Sequence, residues 1–219
     1  MNTRFIIIIL IITFTISCEC PEPQYIYLNN EAAAWKIPET EQAFSMRDQY
    51  NIKQDFSMGG IQYTGFHVGN ERGIDNCVTL YEEEYYVDYS SKMSGHFRLH
   101  MHAYEDIIRI SVDLNSLSFS YDFDQQKLIY LSTPENTLSL THYADGTYDG
   151  DPIHSVLRFM DSYENEHGAY GQTLYFELRD VSGWYEMSLY VASGVGLVEY
   201  LDHNGQHWKR VDEDPSDNQ

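Results

Sequence analysis

The sequence predicts an all-β fold, an antiparallel meander forming a curved half-barrel or sandwich, with one short N-terminal helix. Two observations predict it. About ten segments alternate apolar and polar residues with the period of two that a half-buried strand requires, and turn-forming residues separate them. Good helix formers gather at a single place near the N-terminus. The chain has 219 residues, 42% of them hydrophobic, which suffices for one packed domain.

In chain order, Arg4 and the amino terminus precede the apolar run Phe5 to Phe14, FIIIILIITF. A basic start followed by such a run reads as an export signal over residues 1–17. A spanning helix needs about 20 apolar residues, so this run is too short for a permanent span. Residues 18–24 form a tether in which Pro21 and Pro23 favour an extended chain. The β-rich body is expected over residues 25–211. Asn30 is a capping residue before Glu31-Ala32-Ala33-Ala34-Trp35-Lys36, and Pro38 stops that helix.

The clearest strands are Ile107 to Leu114 and Ser116 to Phe123. In the second, Leu117, Phe119, Tyr121 and Phe123 share one face, and Asn115-Ser116 joins the two as a hairpin. Further strands are expected at Ile61 to Val68, Val78 to Tyr89, Met93 to Ala103, Lys127 to Leu131, Thr137 to Tyr143 and Val156 to Met160. Four more follow at Thr173 to Leu178, Trp184 to Val191, Gly196 to Leu201 and Gln206 to Val211. Asn204-Gly205 brackets the last hairpin, because both residues tolerate positive φ. Residues 212–219 are acidic without an apolar side chain and are expected to be a disordered tail.

With 34 acids against 13 bases, the formal charge is −21. That field repels phosphate backbones, so nucleic acid is not an expected partner. No nucleophile-elbow, zinc-protease, phosphate-loop or dinucleotide motif is present, so motifs leave the cofactor unknown.

Thr15-Ile16-Ser17-Cys18 resembles the lipobox of bacterial lipoproteins, with Ser17 and Cys18 matching the pattern and Thr15 and Ile16 departing from it. The resemblance implies acylation of Cys18, which would anchor the protein to a membrane through lipid. Ordinary cleavage after Ser17 is the alternative. At the other end, Gly194-Val195-Gly196-Leu197-Val198-Glu199-Tyr200 and Asp202-His203-Asn204-Gly205-Gln206-His207-Trp208 are similar to the ending of a family of Bacteroidota lipoproteins. That resemblance implies an outer membrane address, periplasmic or surface-facing, and a curved half-barrel that takes an apolar ligand on its concave side.

Three constellations are candidate sites. In His96 to Ala103, period two sets His96, Arg98, His100 and His102 on one face, and His100 and His102 stand about 6.6 Å apart, two strand rises. Both imidazoles can reach one zinc or copper ion, with Glu105, Asp106 or a cross-strand carboxylate as third ligand; the plain alternative is the wet face of an amphipathic strand. Asp145, Asp149 and Asp151 in a glycine-rich loop offer carboxylates to calcium, or simply form a turn. Glu82-Glu83-Glu84-Tyr85-Tyr86-Val87-Asp88 sets acids beside rings, in a chain with nineteen tyrosines, as a carbohydrate-binding or glycan-hydrolysing face would. Cys20 and Cys77 form a candidate disulfide in an oxidising envelope, though Cys77 can equally pack as a small apolar side chain. The expected function is a non-catalytic binding or scaffolding role in the cell envelope, with a metal-binding module and a glycan hydrolase as alternatives.

Overall fold

The computed structural model describes residues 22–59, 62–68, 80–93, 95–104, 107–115, 117–123, 127–132, 137–138, 142–143, 147–150, 153–180, 186–202 and 204–211. The expected sites at Cys18, Cys20, Cys77, Asp145 and Asp151, the signal and the acidic tail lie outside these residues, as do Glu105 and Asp106. Of Asp149 only its backbone place in a strand is described.

The chain is all-β, a strongly curled antiparallel sheet that forms a half-barrel. Its elements begin with β1 (Gln24–Ile26), α1 (Asn30–Ala33), β2 (Ala43–Asp48), β3 (Lys53–Met58), β4 (Tyr63–Val68), β5 (Leu80–Ser91) and β6 (His96–Ala103). Then come β7 (Ile108–Leu114), β8 (Leu117–Asp122), β9 (Lys127–Ser132), β10 (Thr137–Leu138), β11 (His142–Tyr143), β12 (Thr147–Gly150) and β13 (Ile153–Met160). β14 (Tyr163–Asn165) and β15 (Gly168–Tyr170) form a separate ribbon. β16 (Thr173–Asp180), β17 (Glu186–Ala192), β18 (Gly196–Leu201) and β19 (His207–Val211) complete the sheet.

Two meanders meet at one seam. β12, β13, β16, β17, β18 and β19 pair in that order, and β5 to β9 do the same. β19 pairs with β2, setting Trp208 opposite Asp48, and β2 leads through β3 to β5. β1 is the exception to the antiparallel pattern, lying parallel to the start of β5 with Tyr25 opposite Tyr81.

The inner face is filled by side chains. Phe119 of β8 stacks on Phe176 of β16 with ring centroids 4.4 Å apart, so the two arms of the sheet touch across the interior. Trp35, fully buried, enters from the segment after α1 and packs against Phe123 and Phe159. Each such large side chain contributes about 1.5–3 kcal/mol by leaving water. Tyr85 locks this plug: its phenol accepts from Ile37 N at 2.9 Å and donates to Ile37 O at 3.2 Å.

The helix is shorter than expected and begins one residue earlier. Asn29, in extended conformation, is the cap, its Oδ1 accepting from Ala32 N at 2.8 Å, while Trp35 is drawn inward out of helical geometry. The expected strand at Thr137 to Tyr143 is two short pieces, both paired with β9. β2 and β3 escape the period-two reading because polar Asp48 and Gln54 take inward positions among Phe44, Met46 and Phe56, while Ser45 is buried on the opposite face. Gln54 Oε1 accepts from the buried Tyr200 hydroxyl at 3.0 Å, and Ser45 Oγ donates to Asp55 at 2.7 Å. The hairpin residue Asn115 adopts φ 53° and Gly205 φ 75°, as their turns require.

Candidate functional site: a histidine and carboxylate ladder

Period two on β6 does what the sequence predicts. Phe97, Leu99, Met101 and Ala103 are buried in the core, and His96, Arg98, His100 and His102 face outward. β5 lies alongside with Glu84 opposite His102, Tyr86 opposite His100, Asp88 opposite Arg98 and Ser90 opposite His96. The acids of the Glu82 to Asp88 run therefore face the histidines, which the sequence treats as separate constellations.

The side chains pair along diagonals. His100 Nε2 lies 2.6 Å from Glu84 Oε1, and His96 Nε2 is 2.8 Å from Asp88 Oδ1. Asp88 Oδ2 accepts from Arg98 at 3.2 Å and from the Tyr86 hydroxyl at 2.9 Å. His102 Nε2 is 3.2 Å from Glu82 Oε2 but out of line for a hydrogen bond. His102 is itself buried, and desolvation pulls its imidazole down to about 4 against the pull of Glu84, with His100, His67 and Arg109 acting in the same direction as burial.

β4 adds a residue that the sequence reading missed. His67 stands opposite Glu82, and its ring is edge-on to His102 with centroids 5.8 Å apart. His100 and His102 stack at 6.1 Å, and Tyr104 lies 3.9 Å from His102. The β4 to β5 register could not be read because the connection is long. The β5 to β6 connection is short, closing where Ser91 N donates to Gly95 O, and that closure sets Glu84 against His102. As the side chains stand, no three His, Cys, Asp or Glu surround a common point among the described residues.

Acids of the Glu82 to Asp88 run are engaged by neighbouring bases rather than set facing each other across a cleft. Glu83 points to the inner side, where it binds Lys36 Nζ at 2.6 Å and accepts from Leu28 N at 2.9 Å. Those contacts fix the chain after β1 against β5. Beyond them the inner face continues as an exposed aromatic ledge. Tyr25 stacks on Tyr81 at 5.1 Å, and Phe66 meets both Tyr25 and Tyr27 edge-on. Tyr27 is 61% exposed and Tyr25 48%.

A separate cleft of about 670 Å³ opens between β2, β3 and the turn after β5. Its walls mix charges: Arg210 lies over the Phe44 ring and bonds to Val195 O and Glu41, while Lys53 pairs with Asp55. On the far outer face, Glu199 is buried beneath the β14 to β15 ribbon, accepting from Asn165 at 3.1 Å and from the Tyr163 hydroxyl. His207 closes that group at 2.5 Å.

Compared with known protein families, with curated proteins and with solved structures, the chain matches none.

Proposed function

We propose that the protein is an exported, lipid-anchored cell-envelope protein with a non-catalytic binding or scaffolding role. The observation that carries this reading is the apolar run Phe5 to Phe14 behind Arg4, followed at once by Ser17-Cys18. Acylated Cys18 is the membrane anchor, at the outer membrane by the similarity of the ending to Bacteroidota lipoproteins. No helix among the described residues is long and apolar enough to cross a membrane, so the lipid is the attachment this reading relies on.

The binding role draws support from the aromatic ledge. Tyr25, Tyr27 and Phe66 present exposed rings packed on one another, and such rings suit the face of a sugar or an apolar ligand. An apolar cargo on the concave side finds little room, because Trp35, Phe119 and Phe176 occupy that face. The non-catalytic character is favoured by the pairing of Glu83, Glu84 and Asp88 with Lys36, His100 and Arg98.

The test is the intact mass of the protein purified from its native membrane without denaturant or chelator. A mass beginning at Cys18 with acyl chains is expected. A mass beginning there without them overturns the anchor, and retention of residues 1–17 overturns export by cleavage.

A further inference from the structure

The contacts of His102 do not satisfy it. The residue is only 7% exposed, and its Nε2 atom is buried without a hydrogen-bond partner although a carboxylate oxygen of Glu82 stands 3.2 Å away. With the imidazole neutral, one tautomer aims an N–H out of line with that oxygen, and the other sets two lone pairs against each other. Either way, a cation held between nitrogen and oxygen would satisfy both atoms. The separation fits such an ion: zinc bonds of about 2.0 Å to nitrogen and to oxygen in a tetrahedron leave the two donors roughly 3.3 Å apart.

A third donor stands beside this pair. His67, on the strand next to β5, is exposed and lies opposite Glu82. Two imidazoles bound to one tetrahedral ion keep their centroids roughly 5–6 Å apart, given bonds of about 2.0 Å, and His67 and His102 are 5.8 Å apart. In the structure no nitrogen of His67 shares a point with that pair, so binding the ion requires the exposed His67 ring to turn about its side-chain torsions. His100 is held by Glu84 and stacks on His102, so it forms a wall of the site.

The local charge favours a dication. Glu82, Glu84 and the buried Asp122 face this region of the sheet surface from β5 and β8, against the single guanidinium of Arg109, which lies over Tyr104.

We propose that His102, Glu82 and His67 are the protein ligands of a divalent transition-metal site of the zinc class on the outer surface of β4, β5 and β6, with water in the fourth position. Imidazole and carboxylate donors suit zinc, and cobalt(II) reports the same geometry by its visible absorption. The site stands independently of export and anchoring.

The experiment titrates the purified, tag-free chain, first stripped with chelator, with cobalt(II) and then with zinc. One equivalent of cobalt giving the intense visible bands of a tetrahedral complex, displaced by zinc, is expected. His67→Ala and Glu82→Gln should each weaken zinc at least about 10-fold. His207→Ala, on a different part of the surface, should leave it unchanged. His67→Ala alters an exposed residue, so its circular dichroism spectrum should match wild type. No stoichiometric cobalt complex overturns the proposal, as does zinc affinity in folded His67→Ala equal to that of the parent.

Discussion

Phe119 and Phe176 stack face to face at 4.4 Å, one from each arm of the curled sheet, and hold the half-barrel shut from within. Both are fully buried. Truncating either to alanine removes a ring that the opposite arm cannot collapse to replace. Phe119→Ala and Phe176→Ala should each destabilise the protein by about 3–5 kcal/mol. The double variant should cost less than their sum, because each single change already removes the stack. Urea unfolding followed by circular dichroism checks both.

The Tyr85 hydroxyl is the hook for the Trp35 plug, bonding both backbone groups of Ile37. Tyr85→Phe keeps the ring and removes the hook, leaving the buried Ile37 N–H unpaired while Gln62 Nε2 still donates to Ile37 O at 2.7 Å. A loss of about 1–3 kcal/mol is expected. Amide exchange at Ile37 should accelerate more than exchange in β16.

Glu199 gathers Tyr163, Asn165 and His207 under the β14 to β15 ribbon. Burial and the neighbouring carboxylate raise the Tyr163 phenol, so it donates throughout the physiological range. Glu199→Ala strips all three of their acceptor. The ribbon is small and lies outside the main sheet, so the effect should be local. Proteolysis between residues 165 and 168 should rise while the free energy of global unfolding changes by less than about 2 kcal/mol.

His102 gives the protein a pH dependence of known sign. Its folded value is about 4 against an unfolded value of about 6.5, so between those values the unfolded chain binds a proton that the folded chain does not. Stability contributed by His102 is intact above pH 6.5 and falls as pH drops toward 4, by roughly 2–3 kcal/mol in all. His102→Gln should flatten that part of the curve. Unfolding free energies at closely spaced pH values in metal-free buffer measure it.

Gly196 has φ 89°, and a methyl group there would stand 2.7 Å from Ile37 Cδ1. Gly196→Ala should therefore cost about 1–3 kcal/mol from backbone strain. Ile37→Val should recover only the part due to crowding, a distinction thermal unfolding of the pair resolves.

The alternation in His96 to Ala103 and Leu117 to Phe123 was enough to read which side chains enter the core, since period two is local geometry that each strand carries by itself. The Asn115 and Asn204-Gly205 turns were legible for the same reason: positive φ is a property of one residue and its neighbours. β2 and β3 were not legible. Inward Gln54 is satisfied by Tyr200, and Ser45 on the other face by Asp55, partners that only the assembled sheet supplies.

The sequence by itself determined the fold class, the single short helix and the outward stripe of His96, Arg98, His100 and His102, because these follow from periodicity and turn chemistry. Only the tertiary structure decided which carboxylate meets which imidazole. That pairing depends on the register between strands; β4 has no buried residue to mark its register in the sequence, and His67 meets Glu82 only through its pairing with β5 across a long connection.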